Sequence, residues 1–203
     1  SLSTCAFPNV VGRYPFLEGD ILQGPPAVTN RAYGFTKRAL YIQTLAYREQ
    51  HGVDYSCFCP SNIYGPDDNF DEESSHFVPS MIRRIVESEE GDTLEFWGTG
   101  DPLRQQLYVD DLAKAIPDLL EKHHTSDPII VAPNENLSIR DMVFSLLSAL
   151  GKDRKIVFNG KLDGQIRKDG SNKKFMNLAG DFEFTSFREG AVKTYEWYEK
   201  KYG

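Results

Sequence analysis

Apolar side chains recur at helical spacing across residues 30–51. Ala32, Ala39, Leu40, Ile42, Leu45 and Ala46 are its apolar positions. Thr29 or Asn30 can cap this helix, and Gly52 ends it. Tyr55–Cys59 is a short apolar run stopped by Pro60, so it reads as a strand. Phe77–Glu89 reads as a helix with Pro79 in its first turn. Leu94–Trp97 and Gln106–Val109 read as short strands around a Gly-Thr-Gly turn. Asp110–Glu121 is expected to be helical, Pro128–Val131 a strand, and Ser138–Leu150 an amphipathic helix closed by Gly151. Lys155–Phe158 is a further strand, and Phe187–Tyr202 a final helix. Strands alternating with helices predict an α/β fold with a mainly parallel sheet.

The intervening segments are polar or rich in turn formers. Residues 8–28 carry Pro and Gly without helical periodicity and are expected to form a surface loop. Asp67–Ser75 is a polar, acidic loop. The opening Ser1-Leu2-Ser3-Thr4-Cys5 reads as the end of a strand, without a preceding helix or cap. The chain is therefore expected to begin inside a fold. No internal repeat or low-complexity tract is visible.

Bulk properties narrow the function. The 203 residues suffice for one large domain or two small ones. A net charge of −7 argues against a general nucleic-acid or anionic-membrane surface. An anionic substrate would need a few local Arg residues to hold it against that field. The three Cys, at 5, 57 and 59, include no CxxC and no Cys/His set with zinc spacing, so no metal site is expected. Their usage fits a reducing cytosol. No apolar run of membrane-spanning length occurs, and no signal-like segment opens the chain.

Tyr33 and Lys37 are the most informative pair. Four residues apart on a helix, they project from one face. An ammonium near a phenol favours the phenolate, which brings a group of pKa about 10 toward the working range of a proton donor. That suits protonation of an alkoxide as a hydride reaches a ketone. There is no GxGxxG: Gly98-Thr99-Gly100 leads into Asp101-Pro102, not into a helix.

Ser3-Thr4-Cys5, Tyr33-Gly34-Phe35-Thr36-Lys37, Pro60-Ser61-Asn62-Ile63-Tyr64-Gly65-Pro66 and Tyr108-Val109-Asp110-Asp111-Leu112 resemble, in order and spacing, the extended short-chain dehydrogenase/reductases. Three further segments narrow the resemblance to the GDP-L-fucose synthase family. These are Gly65-Pro66-Asp67-Asp68-Asn69-Phe70, Ser75-His76-Phe77-Val78-Pro79 and Trp97-Gly98-Thr99-Gly100-Asp101-Pro102-Leu103-Arg104. The resemblance covers the C-terminal two thirds of such an enzyme. The first βαβ units with the Gly-rich loop, roughly a hundred residues, lie outside it.

The resemblance implies the C-terminal part of a Rossmann-type parallel sheet with a smaller α/β substrate-binding domain. Residues 1–66 would belong to the NADP-binding part, with 105–125 returning to it. Residues 67–104 and 126–203 would form the substrate-binding part. It implies that Ser3, Tyr33 and Lys37 act as a Ser-Tyr-Lys triad, with Cys5 as base and His76 as acid in two epimerisations. NADP(H) contacts are implied for Leu2, Ser3, Thr4, Lys37, Pro60, Ser61, Asn62, Ile63 and His76. GDP-sugar contacts are implied for Arg84, Trp97, Arg104 and Asp163. A cytoplasmic homodimer packed through the Tyr33 helix and its neighbour is implied as well.

Each residue also has a plainer role. On position alone Ser3 is a turn-stabilising Ser, Cys5 a small core hydrophobe, Trp97 a packing residue and Asp163 part of an Asp-Gly turn. One Arg of the pair Arg83 and Arg84 reads as a solvated helix face. Asp110 and Asp111 read as structural, favoured at a helix start. His51 lies at a helix C-terminus, and His123 and His124 read as solvated surface. Two other functions stay open. One is a different nucleotide-sugar epimerase, reductase or dehydratase of the superfamily. The other is a non-catalytic module that binds a GDP-sugar or dimerises without turnover.

Overall fold

The computed structural model describes all residues, 1–203, as an α/β fold. Strand β1 (Phe58–Pro60) pairs in parallel with β6 (Ile129–Val131). Leu2 N–H donates to Phe58 O at 2.8 Å on the other edge of β1, so the first residues extend beside it. Strand β2 (Asn62–Tyr64) continues β1 and pairs in parallel with β5 (Gln106–Tyr108). β3 (Thr93–Phe96) pairs in parallel with β8 (Lys155–Phe158). β4 (Leu103–Arg104) lies between antiparallel β7 (Leu137–Ser138) and parallel β9 (Arg167–Lys168).

Six α-helices cover these strands. They are α1 (Arg31–His51), α2 (Phe77–Val86), α3 (Val109–Lys122), α4 (Ile139–Leu150), α5 (Lys173–Ala179) and α6 (Phe187–Tyr202). Their ends follow from local chemistry. Ser138 Oγ accepts from Asp141 N–H to start α4, and Gly151 ends it at φ +61°. Ser186 caps α6 through Glu189 N–H, and Gly52 ends α1 at φ +64°. No helix is long and apolar enough to cross a membrane.

Three apolar clusters hold the fold. The largest joins α2, α4 and α6 to β3, with Met81, Ile82, Ile85, Met142, Leu146 and Tyr195 buried. A second gathers Leu2, Phe7, Phe16, Ile21, Tyr41, Cys57, Cys59 and Ile130. A third packs Leu107, Leu119, Ile129 and Phe175 between α3, α5 and β6. Thus β6 pairs with β1, and α5 packs with β6 and α3.

Four local expectations need correction. Ser1–Cys5 is not extended throughout: Thr4–Ala6 forms a 3-10 turn, because Ser3 Oγ accepts Cys5 N–H at 3.1 Å. Residues 8–28 are more than a surface loop. They bury Phe16 and Ile21, and Phe7 stacks on Phe16 at 4.2 Å. His123 is 5% exposed, with Nε2 3.2 Å from Cys57 O, and burial lowers its pKa. Phe77–Glu89 stops being helical at Val86.

Two contacts fix the parts that matter most for chemistry. Gly34 lets α1 lie against the 3-10 turn: a Cβ there would sit 2.6 Å from Cys5 O and 2.8 Å from Pro26 Cβ. One turn later, buried Arg38 donates to Ala6 O at 2.6 Å and Gly24 O at 2.7 Å. At the start of α3, the fully buried Asp111 accepts from Thr185 N–H at 2.6 Å and Thr185 Oγ1 at 2.9 Å. That contact anchors the segment leading into α6, as the structural role read for Asp111 requires.

Gly34→Ala should therefore force α1 away from the turn, at a cost of about 1–3 kcal/mol. Asp111→Ala should cost about 1–3 kcal/mol, by leaving the Thr185 donors buried without an acceptor. Denaturant midpoints measure both. A loss below about 0.5 kcal/mol in either variant would put it among ordinary surface changes and contradict the packing described.

Candidate active site

The first 3-10 turn sits where β1 and the N-terminal half of α1 meet. Within it the Ser3 hydroxyl accepts from Cys5 N–H. That bond uses a lone pair and leaves the O–H free to donate. The plain turn-stabilising role and donation to a carbonyl are therefore compatible. The helix packed on this turn carries Tyr33, 51% exposed, and Lys37. Lys37 Nζ lies 5.5 Å from the Tyr33 ring centroid and donates to Ser1 O at 3.1 Å. Tyr33 and Lys37 share a face as their spacing required.

Cys5 is the one partly accessible thiol; Cys57 and Cys59 are buried. Its Sγ accepts a hydrogen bond from Lys168 Nζ at 2.8 Å. The same ammonium reaches Asn62 Oδ1 at 3.4 Å. Lys168 is 8% exposed. The sheet explains the meeting. Asn62 on β2 is in register with Gln106 on β5, just after β4, and Arg104 on β4 is in register with Lys168 on β9. Arg104 is half-buried, with Cys5, Asp163 and Tyr14 nearby, and burial lowers its pKa. Two cations from adjacent strands thus flank the thiol.

Beside Asn62, the Ser61 hydroxyl is buried without a hydrogen-bond partner, and Ile63 is exposed. Pro60 ends β1 with its side chain buried, Leu2 lies in the core, and Thr4 is buried in the turn. The segment expected along a nicotinamide thus presents an unpaired hydroxyl and an uncovered apolar side chain.

The residues expected to hold a GDP-sugar form a second group, connected to the first through Arg104 and Asp163. Both Asp163 oxygens accept from Thr99, from its N–H at 3.0 Å and its Oγ1 at 2.7 Å. Gly98, at φ +79°, permits this: a Cβ there would lie 2.1 Å from Asp163 Oδ1. Trp97 is 64% exposed and donates Nε1–H to Leu162 O at 2.8 Å, with Lys161 Nζ 4.8 Å from its ring centroid. Arg84 donates to Glu95 O at 2.6 Å and lies over the Phe96 ring. Burial lowers its pKa. A cleft of about 480 Å³ opens between residues 9–14, 27–29 and 163–167.

His76 stands apart. It is exposed at the N-terminus of α2, and no hydrogen bond joins its ring to any group, Cys5 included. Arg83, its neighbour on α2, pairs with Glu87 at 2.7 Å. Lys168 is the residue that motif reasoning missed. Within Arg167-Lys168-Asp169 it looks like one charge of a solvated run. Only the β4–β9 register brings it to Cys5.

Residues 1–132 match the NAD dependent epimerase/dehydratase family. The chain is 34% identical over 205 residues to a GDP-L-fucose synthase of Dictyostelium discoideum, covering 99% of this chain and 64% of that protein. It is 29% identical over 212 residues to the GDP-L-fucose synthase of Escherichia coli (strain K12), covering 97% of this chain and 64% of the relative. A GDP-L-fucose synthetase from Naegleria fowleri, solved with NADP bound, superposes with a TM-score of 0.91 at 31% identity, over 99% of this chain and 65% of that one. The chain thus spans just under two thirds of the length of these relatives. With its parallel strands, its Tyr33–Lys37 helix and a profile match over most of its length, the chain belongs to the NAD dependent epimerase/dehydratase family.

Proposed function

We propose that these residues carry the epimerising and reducing site of a GDP-L-fucose synthase, acting on GDP-4-keto-6-deoxy-D-mannose with NADP(H). The observation that carries this is the placement of the Cys5 thiol, held by Lys168, on the turn that packs against the Tyr33–Lys37 helix. The names of the relatives supply the substrate class. Other reductases of the superfamily share the triad, and the paired Cys5 and His76 favour the synthase among them.

The 4-keto group acidifies both C3 and C5, so one acid–base pair can serve both centres. As base, Cys5 takes a carbon-bound proton onto Sγ, and the C–H electron pair moves to the carbonyl oxygen. The free O–H of Ser3 can donate to that oxygen. His76, exposed at the N-terminus of α2, would return a proton to the opposite face. Tyr33 then gives its proton to the C4 oxygen, with Lys37 as the adjacent cation.

The fit to a nicotinamide cofactor rests on the buried, unpartnered Ser61 hydroxyl and the exposed Ile63 beside it. Pro60–Ile63, with Leu2, Ser3 and Thr4, would hold the nicotinamide end, and Lys37 the ribose. When bound, NADPH supplies the hydride for reduction at C4. The pyrophosphate has no Gly-rich loop within this sequence, so that cradle would come from a further segment. Without it, the same residues would act as a GDP-sugar-binding module that does not turn over.

Arg84 and Arg104 suit diphosphate oxygens, and Trp97 offers an open ring face to the nucleoside. The Asp163 carboxylate serves the Thr99 turn and would contact substrate only through what that turn leaves free. Phe35, Leu40, Ile42 and Tyr47 are exposed on α1 and support a homodimer packed through that helix. Three unpaired thiols support a reducing, cytoplasmic setting.

In a protein joining these residues to a Gly-loop half, Cys5→Ser should slow solvent deuterium exchange at C3 and C5 by about 10²–10⁴-fold, because a hydroxyl is a far weaker base. Reduction of substrate already epimerised should survive. Exchange near the wild-type rate would reject Cys5 as base. Tyr33→Phe should show the reverse pattern, losing about 10²-fold or more in reduction while exchange continues. Loss of both together would mean that the phenol also stabilises the enolate.

A further inference from the structure

We propose that Lys168 and Cys5 form a built-in ion pair, in which the Lys168 ammonium keeps the Cys5 sulfur as a thiolate and aims it, with Asn62 as the third member. The proposal deepens the role given to Cys5 above and rests on that reading only for its catalytic meaning.

The first argument is the cost of burial. A cation taken out of water needs an anion or a full set of acceptors. Lys168 is almost wholly buried, yet its ammonium meets no carboxylate. Its partners are Cys5 Sγ at 2.8 Å and Asn62 Oδ1 at 3.4 Å. The nearest carboxylate along the chain, Asp169, is already taken. Arg167 Nε and Nη2 reach it at 2.6 Å and 3.0 Å. The thiol is the one partner of Lys168 that can become an anion.

The second argument is rigidity. Residues 167–171 are clamped from two sides. Gln105 accepts Gly170 N–H at 2.9 Å and donates to Gly170 O at 3.2 Å and Pro133 O at 2.8 Å. Phe16 N–H donates to Asp169 O at 3.0 Å, and Ser171 N–H donates to Phe16 O at 2.9 Å. Gly170 lets this segment close on Phe16, since a Cβ would lie 2.8 Å from that ring and 2.9 Å from Ile130. A flexible Lys stem is therefore carried by fixed backbone, and the ammonium is delivered to one place.

The third argument is the sign of the surroundings. Arg104, in register beside Lys168, adds a second positive charge near Cys5. Asn62 is neutral, and with Oδ1 turned to Lys168 its amide can donate. From α1 the ionisable side chains toward this turn are Tyr33, Lys37 and Arg38, the last spent on Ala6 O and Gly24 O. Asp163 is the carboxylate in reach of Arg104, and it is bound to Thr99. Positive charge prevails at the sulfur. Lys168 acts through Cys5 and is a positioning residue.

The test needs no turnover. In the 203-residue chain near neutral pH, ultraviolet thiolate absorbance should amount to one sulfur. It should vanish in Lys168→Gln and persist in Lys168→Arg. Iodoacetamide provides a second measurement: Cys5 Sγ bonds to the acetamide carbon as iodide leaves, and peptide mass spectrometry locates the label. Labelling of Lys168→Gln should be about three-fold slower or more near neutral pH, where fewer of its sulfurs are ionised. It should overtake the unmodified chain in alkali, because a thiolate freed of its cation is the better nucleophile. A merely structural change would not produce that crossing, and unfolding would reveal itself by labelling Cys57 and Cys59. Absence of thiolate in the unmodified chain near neutral pH overturns the proposal whatever the variants do. So does unchanged absorbance in Lys168→Gln. If the thiolate is present and depends on Lys168, but Cys5→Ser exchanges deuterium normally, the ion pair stands and the base role falls.

Discussion

The close approach of α1 to the turn at Thr4–Ala6 is the contact on which the rest of the chemistry depends. It is a backbone contact, possible because residue 34 has no side chain. Across it, the helix that carries Tyr33 and Lys37 lies on the turn that carries Cys5, and Lys37 reaches Ser1 O. Arg38 then fastens the arrangement by bonding the carbonyls of Ala6 and Gly24, so the turn, the following loop and the helix move as one. A guanidinium suits this task because its planar fork serves two carbonyls from one buried stem. The helix that carries Tyr33 and Lys37 thereby also fixes the turn that bears the thiol.

The site lies between clusters rather than within one. The Leu2–Phe16–Cys59 cluster holds the turn, and the α2–α4–α6 cluster holds β3 and the Arg84–Trp97 group. β4, β5 and β9 run between them and bring Arg104 and Lys168 to the seam. Such placement lets polar groups meet without being buried in either apolar body, which would cost several kcal/mol per unpaired group. It also leaves His76, on α2, with an unengaged ring at the edge of the second body.

Elements whose stabilising pattern is local are legible in the sequence. The stripe of Met142, Val143, Leu146 and Leu147, the Ser138 cap and Gly151 announce α4 within fourteen residues. The four-residue spacing of Tyr33 and Lys37 is enough to put both on one face of α1. Elements made by distant partners are not legible. β2, β4, β7 and β9 are two or three residues long and exist through pairing across the chain, so they show no alternation to read. α5 is a short polar-looking segment whose one buried side chain, Phe175, packs on β6 and α3. Thr4–Ala6 reads as strand in the sequence because Ser3 bonding Cys5 N–H is a choice among local alternatives that composition does not reveal. His123 reads as exposed because its partner, Cys57 O, lies 66 positions away. Lys168 belongs to the same class, since its meaning comes from register.

Charge distribution joins these observations to function. The chain carries a net charge of −7, yet the seam brings together Arg104 and Lys168, and Arg84 lies on the neighbouring body. Their hydrogen-bond partners are backbone carbonyls, a thiol and an amide, and none is hydrogen-bonded to a carboxylate. The acidic groups are spent elsewhere: Asp20 faces Arg13, Asp54 faces Arg48 and His124, and Asp111 holds Thr185. At physiological salt, exposed charges more than about 8 Å away are largely screened, whereas partly buried cations are not. A dianionic ligand at this seam would therefore feel the local cations and little of the overall negative charge. An acidic protein can in this way hold a dianion locally while its remaining surface stays poorly suited to longer polyanions.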